Sequence, residues 1–199
     1  MLSKDKVFIL KTTPFQDSDL IVNAFSAQEG RVDFLVKGAR KSKKRFVGGV
    51  LEPSHYVFVL YYKKRSYFEG EGGLHILKEA HLIEDFSALR LNYERLEMAL
   101  YFLKLVYQVA RHGDPHAQDL FNLLGNGLKA LMVSENIENL KIHFETKLLY
   151  YEGVYSLDDL SVPLLKLPLS KHQELSWLDD ERKKVIASVQ RVLRGYLNK

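Results

Sequence analysis

Hydrophobic and polar positions alternate along the first 80 or so residues and then switch to a longer period. In 31–37, Val32, Phe34 and Val36 share one face while Arg31, Asp33 and Lys37 sit on the other, the period of two of a half-covered strand. Segments 6–12, 19–26, 55–62 and 74–83 are likewise short and rich in β-branched and aromatic residues, so five strands are predicted. In 55–62 the alternation is lost, which predicts that both faces are covered or that one binds something. Phe58 and Phe68 are expected in the core, whereas Tyr61 and Tyr62 suit either the core or stacking. Glu29-Gly30 and the polar Lys63-Lys64-Arg65-Ser66 supply turn chemistry between runs. Five short strands with a long link between the third and fourth predict a small closed barrel such as an OB-fold, which leaves no strand edge open.

From about Phe86 the period becomes 3.6. Leu96, Leu100, Leu103 and Tyr107 recur at helical spacing, with Ala99, Val106 and Ala110 widening the stripe, up to His112-Gly113. Asp114-Pro115 reads as a helix start, and Leu120, Leu123, Leu124, Leu128 and Leu131 follow, with an end near Ser134. A third helix is expected from about Ile137 to Glu152, closed by Gly153. Residues 154–169 hold two prolines and read as a loop. Ser170 then caps a short helix, and Asp179 opens a last one bearing Val185, Ile186, Val189, Val192, Leu193 and Tyr196. The fold class is α+β: a five-stranded OB-fold barrel over 1–82, then an all-α domain over 83–199, without a zinc module.

Charge changes the picture more than composition does. The chain carries a net +4, but residues 1–80 hold 14 Lys and Arg against 9 Asp and Glu, whereas 81–199 hold 15 against 16. All the positive excess therefore lies in the barrel, which points to a polyanionic partner there. No apolar run reaches the roughly 18 residues of a spanning helix, and the apolar start at Val7–Leu10 is short for a signal peptide. A cytoplasmic protein without membrane association is expected. The absence of cysteine removes disulfides, thiolate catalysis and cysteine-based zinc sites.

The most informative segment runs Gly38-Ala39-Arg40-Lys41-Ser42-Lys43-Lys44-Arg45-Phe46-Val47-Gly48-Gly49, in the link between the third and fourth strands. Five cations in six positions repel one another, and phosphate contacts offset that repulsion by releasing condensed counterions. Arg40, Lys41, Lys43, Lys44 and Arg45 are therefore candidate nucleic-acid-binding residues, touching phosphates and not base edges because a flexible, glycine-flanked loop lacks the rigid geometry of base reading. Lys63, Lys64 and Arg65 form a second cluster able to extend the same surface. Aromatics accompany these cations at Tyr56, Phe58, Tyr61, Tyr62, Tyr67 and Phe68, available either for stacking on bases or for the core.

Catalytic constellations are poor. The chain has no phosphate loop, nucleophile elbow or H-E-x-x-H motif, and the Gly70-Glu71-Gly72-Gly73 run is no dinucleotide fingerprint. His112 and His116 are separated by Gly113-Asp114-Pro115, which breaks any helical metal pair, so a surface turn is the better reading. Asp17, Asp19 and Asp33 are imaginable as a nuclease's metal carboxylates, though solvent-facing acids explain them more simply. No catalytic residue, cofactor or metal is assigned, and folding is expected to need no metal.

Taken together, these residues resemble the RecO family of bacterial recombination mediators. The stretch Ile9-Leu10-Lys11-Thr12-Thr13-Pro14-Phe15-Gln16-Asp17-Ser18-Asp19-Leu20-Ile21-Val22 is similar to the family's opening strand, proline turn and second strand. Phe25-Ser26 through Glu29-Gly30-Arg31 is similar to its second hairpin. Val36-Lys37-Gly38-Ala39-Arg40-Lys41-Ser42-Lys43-Lys44-Arg45-Phe46 resembles its K-G-A-R-[RK]-x-K-x-R-F pattern, and Leu51-Glu52-Pro53 its L-x-P. The likeness is specific over 7–60 and looser over 80–155, where Phe144-Glu145-Thr146-Lys147-Leu148-Leu149 carries part of it.

The resemblance implies an OB-fold joined to a helical domain. It further implies binding of single- and double-stranded DNA, carried here by Lys37, Arg40, Lys41, Lys43, Lys44 and Arg45 of the basic loop, annealing of complementary strands, and engagement of the single-stranded-DNA-binding protein. With RecR, such proteins help load the RecA recombinase at gaps. The implied dock for an acidic, aromatic-ended tail is expected in the helical domain, rimmed by some of Lys104, Arg111, Lys129, Lys141 and Lys147. Many members carry a four-cysteine zinc module after the helix corresponding to 140–153. Val154–Leu169 here is short and cysteine-free, so packing of Leu157, Leu160, Leu164 and Leu167 is expected to hold it. The alternative readings are an RNA-binding OB-fold protein, a metal-dependent nuclease, and an adaptor whose basic loop binds an acidic protein.

Overall fold

The structure is a computed structural model describing residues 1–42, 45–46, 49–64, 73–156 and 161–198. Five strands, β1 (Leu2–Phe15), β2 (Asp19–Ser26), β3 (Gly30–Val36), β4 (Tyr56–Tyr62) and β5 (Leu74–Glu84), close into a barrel in the order β1-β2-β3-β5-β4. Only β3 and β5 run parallel; the other pairs are antiparallel. Closure depends on β1, whose first half pairs with β4 and whose second half pairs with β2, with a register shift between Ile9 and Lys11 that lets it serve both.

Period-two patterning places Val7, Ile9, Val22, Val32, Phe34, Val57, Val59 and Tyr61 in the barrel core. In β4 burial does alternate: Val57, Val59 and Tyr61 are buried, while Tyr56, Phe58 and Leu60 are half-covered on the outer face. The core expectation for Phe58 is therefore overturned, and the open choice for Tyr61 falls to the core. Phe58 lies outside the core, whereas Tyr61 lies inside it, edge-on to Phe34 at 5.1 Å and stacked on His75 at 5.4 Å. A uniformly apolar strand hides its own phase, and only pairing with β1 and β5 reveals it. Burial and the Asp5 carboxylate push the Tyr61 phenol up to about 12.

Among the described residues, five α-helices follow: α1 (Tyr93–Val109), α2 (Ala117–Val133), α3 (Ile137–Tyr151), α4 (Val162–Lys166) and α5 (Asp179–Leu197). The chain forms two compact units, one of Met1–Ser87 with Leu103–Phe121, the other of Ala88–Phe102 with Asn122–Lys199. Within the first, Phe121 packs on the outward ring of Phe8 at 4.8 Å, and Phe8 stacks on Tyr56 at 4.9 Å. Thus Phe8 and Phe25 are fully buried although they face out of the barrel.

At Gly30 the barrel packs directly against residues 111–114. Gly30 bridges His112, and the next amide, of Arg31, donates to the Arg111 carbonyl at 2.9 Å. With φ +69° and a would-be Cβ only 2.3 Å from that carbonyl oxygen, the position admits glycine alone without strain.

Leu120, Leu123, Leu124, Leu128 and Leu131 of α2 are buried, as its spacing requires. Asp114 and Pro115 precede α2 as a turn: the Asp114 carboxylate accepts the His116 amide at 2.8 Å and its carbonyl accepts that of Ala117. Asn136 caps α3 through the Asn139 amide, and Gly153 ends it at φ +68°. The α1 stripe differs from expectation: Leu100 is exposed and Leu96 half-covered, because Ala99, Phe102, Val106 and Val109 hold the buried side. Residues 162–166 form α4 where a loop is expected, with Pro163 at a first-turn position that needs no amide. The following turn spans Leu169–Glu174 with Pro168, not Ser170, at its N-cap.

Buried polar groups of α3 hold this segment. His143 Nε2 donates to the Leu167 carbonyl at 3.1 Å, Lys147 Nζ donates to that of Leu165 at 2.8 Å, and Leu164 is fully buried. Leu167 is half-covered, and Leu157 and Leu160 lie outside the described residues.

Candidate nucleic-acid interface

The basic loop leaves the end of β3 through Gly38, whose left-handed φ of +65° turns the chain sharply into a single helical turn over Ala39–Lys41. The expected flexible loop is, in its described part, pinned. The Gly38 amide donates to Asp19 Oδ1 at 2.8 Å, and the Arg40 amide to the Ser18 carbonyl at 2.9 Å. The Arg45 amide donates to Ser42 Oγ, and its guanidinium to the Lys37 carbonyl, both at 3.1 Å. Ala39 and Phe46 are buried members of the barrel core and anchor the loop from beneath. Lys37, Arg40, Lys41 and Arg45 are all exposed, so a pinned backbone holds four cations against solvent. The Arg45 guanidinium also lies 5.5 Å from the centre of the Phe46 ring. Lys43 and Lys44 lie outside the described residues.

The second cluster is elsewhere. Lys63 follows β4 and pairs with Glu29 at 2.6 Å, in the hairpin that precedes β3, while the basic loop leaves the opposite end of β3. A seven-residue strand separates them by roughly 20 Å. Lys63 and Lys64 are exposed, and the Lys64 amide faces His75 Nδ1 at 3.3 Å, a ring whose pKa burial and nearby Lys63 lower. Arg65, Tyr67 and Phe68 lie outside the described residues. Of the aromatics, Tyr62 is exposed at the Lys63 end.

The acids at 17, 19 and 33 do not converge. Asp19 serves the loop through Gly38, whereas Asp33 pairs across to Asn23, four residues along β2. Asp33 accepts from Asn23 Nδ2 at 2.6 Å and Arg31 Nε at 3.2 Å, with His112 Nε2 at 3.5 Å. Arg31 in turn lies over the Tyr107 ring at 4.6 Å, with the Lys11 ammonium at 5.5 Å from the same ring. This network, which sequence spacing gives no hint of, ties residues 103–121 to the outer face of β2 and β3. His112 thus meets Asp33 rather than His116, and among the described residues no three His, Asp or Glu side chains gather as a metal site.

Of the expected rim cations in the helices, Lys104, Arg111 and Lys129 are exposed, and Lys141 lies 5.4 Å from the Tyr101 ring centre. Lys147 is buried beneath the 162–166 segment, so it forms no rim, and burial lowers its pKa. Among the described residues, no helix is long and apolar enough to cross a membrane.

Residues 1–86, the barrel with its loop, match the family described as Recombination protein O N terminal. The chain belongs to the RecO family. It is 33% identical over 155 residues to the DNA repair protein RecO of Alkaliphilus metalliredigens, covering 77% of this chain and 59% of that one. The DNA repair protein RecO of Syntrophus aciditrophicus is 32% identical over 170 residues, 85% of this chain and 62% of that one. That of Desulfatibacillum aliphaticivorans is 35% identical over 135 residues, 67% and 47% of the two chains. This RecO chain therefore spans about three fifths of the length of the first two relatives.

Proposed function

We propose that this RecO chain acts in DNA repair as a non-enzymatic recombination mediator. It binds single- and double-stranded DNA, anneals complementary strands, and helps load the RecA recombinase with RecR at gaps coated by single-stranded-DNA-binding protein. The observation that carries the reading is the pinned loop of Lys37, Arg40, Lys41 and Arg45, four exposed cations held on a closed barrel. Fixing them in place lowers the entropy lost when phosphates are bound, and counterion release supplies the driving force. Lys43 and Lys44 extend the same run of charge in sequence. Lys63 and Lys64, with exposed Tyr62, form a second contact point at the other end of β3, where a strand passing across the barrel face would meet them. The helical unit takes the protein partners, with exposed Lys129 available to an acidic tail.

Strand annealing, with and without the cognate single-stranded-DNA-binding protein, tests this reading, alongside binding to RNA of equal length. Annealing above the spontaneous rate that survives the coating protein supports it. Preference for RNA, or cleavage of labelled DNA with Mg²⁺ or Mn²⁺, would overturn it.

A further inference from the structure

Beneath the basic loop lies a cavity of about 200 Å³, lined by Thr12, Leu20, Ala39, Phe46, Leu51 and Pro53. An apolar cavity of about 150 Å³ is enough to hold a benzene ring, so this one admits a planar ring. Its surroundings divide by charge. Arg40, Lys41 and Arg45 stand exposed next in sequence to its lining residues Ala39 and Phe46, while among the described lining residues the one carboxylate is that of Glu52, turned back over Gly49 and 4.0 Å from His55 Nε2. Thr12 Oγ1 donates to the Leu51 carbonyl at 2.7 Å, which holds the two sides of the cavity together.

An occupant must be apolar and flat inside, anionic outside, and able to donate a hydrogen bond toward Glu52. An acidic peptide meets the first two conditions, but its carboxylates would face Glu52. A nucleotide meets all three. We propose that the cavity takes one unstacked base of a bound single strand, its amino edge toward Glu52 and its flanking phosphates on Arg40, Lys41 and Arg45. This rests on the DNA-binding reading and adds to it a site that distinguishes single strands from duplex, because a paired base cannot enter.

The test measures affinity of the full chain for oligo(dC), oligo(dU) and an abasic strand of equal length. The intact protein should bind oligo(dC) about tenfold more tightly than the abasic strand, the gain expected from seating a base on apolar surface. It should prefer oligo(dC) to oligo(dU), whose carbonyl would face Glu52. Ala39→Leu, which fills the cavity, should remove the preference over the abasic strand. Glu52→Gln, at an exposed side chain, should remove the preference for oligo(dC) over oligo(dU), and it remains informative if Ala39→Leu fails to fold. Equal binding of base-bearing and abasic strands by the intact chain overturns the cavity proposal alone. So do folded variants that keep both preferences, or displacement of the strand by an acidic, aromatic-ended peptide from the intact protein but not from Ala39→Leu. Failure of the intact chain to bind any of the three strands overturns the DNA-binding reading as well.

Discussion

Replacing Arg40, Lys41 and Arg45 together by alanine removes three of the exposed charges from the loop while leaving its backbone ties in place. The amides of Arg40 and Arg45, which donate to the Ser18 carbonyl and Ser42 Oγ, survive the substitution. The side-chain losses are the Arg45 guanidinium bond to the Lys37 carbonyl and a 3.5 Å contact of Arg40 with the Asp17 carbonyl, at the limit of a hydrogen bond. One ordinary hydrogen bond is worth about 1 kcal/mol, and relief of repulsion among like charges offsets part of it, so the variant should fold with a melting temperature close to that of the parent. Each phosphate contact on a single strand contributes about 0.7 to the slope of log K against log salt. Three contacts therefore account for about 2 units of slope. Because that electrostatic part vanishes near 1 M salt, affinity at 0.1 M should fall by about two orders of magnitude. The fall should be equal for unrelated sequences, as phosphate contacts carry no base information. Fluorescence anisotropy with a labelled single strand across 50–300 mM salt, beside a thermal melt, measures all of this. A folded variant with unchanged affinity and slope would refute the assignment and move the interface to Lys63 and Lys64.

Two further outcomes follow from the packing. Gly30→Ala should destabilise the protein by about 2–4 kcal/mol, since it combines a left-handed backbone with a clash against the Arg111 carbonyl; a loss below about 0.5 kcal/mol in urea melts would show that residues 111–114 move aside freely. His143 is held neutral chiefly by burial and next by Lys147, its pKa falling from 6.5 to about 4. The unfolded chain then takes up a proton that the folded one refuses, so the stability present above pH 6.5 is lost as pH falls toward 4, by up to about 3 kcal/mol. Glu145, whose pKa burial raises, acts in the opposite direction, its contribution to stability falling as pH rises above the ordinary carboxylate range. His143→Gln should flatten the acid limb of denaturant-derived stability against pH, and an unchanged limb would falsify the assignment.

How much of this was legible in the sequence depends on the range of the interaction involved. Strand positions in the barrel follow from local alternation: Val32, Phe34 and Val36 announce one buried face, and 19–26 emerges as β2 with the same bounds. The cations from Lys37 to Arg45 are also legible, because a dense run of like charge is conspicuous wherever it folds. Helix starts at Ile137 and Asp179 are written in cap and first-turn chemistry, including the Glu181 carboxylate that accepts the Leu178 amide at 3.0 Å.

Tertiary structure alone decided what each face meets. The phase of β4, with Tyr61 inside and Phe58 outside, comes from its register with β1 and β5, since an unbroken apolar run carries no phase of its own. Residues 103–121 join the barrel's unit through Phe121 on Phe8 and Arg31 on Tyr107, partners separated by 113 and 76 positions. Lys147 reads as a surface cation but is buried against a carbonyl that no local pattern announces. The cavity under the loop brings Thr12, Ala39 and Glu52 together from three separate stretches. Periodicity and charge runs are properties of neighbours along the chain, whereas register, burial of an outer face and the shape of a cavity exist only once distant segments touch.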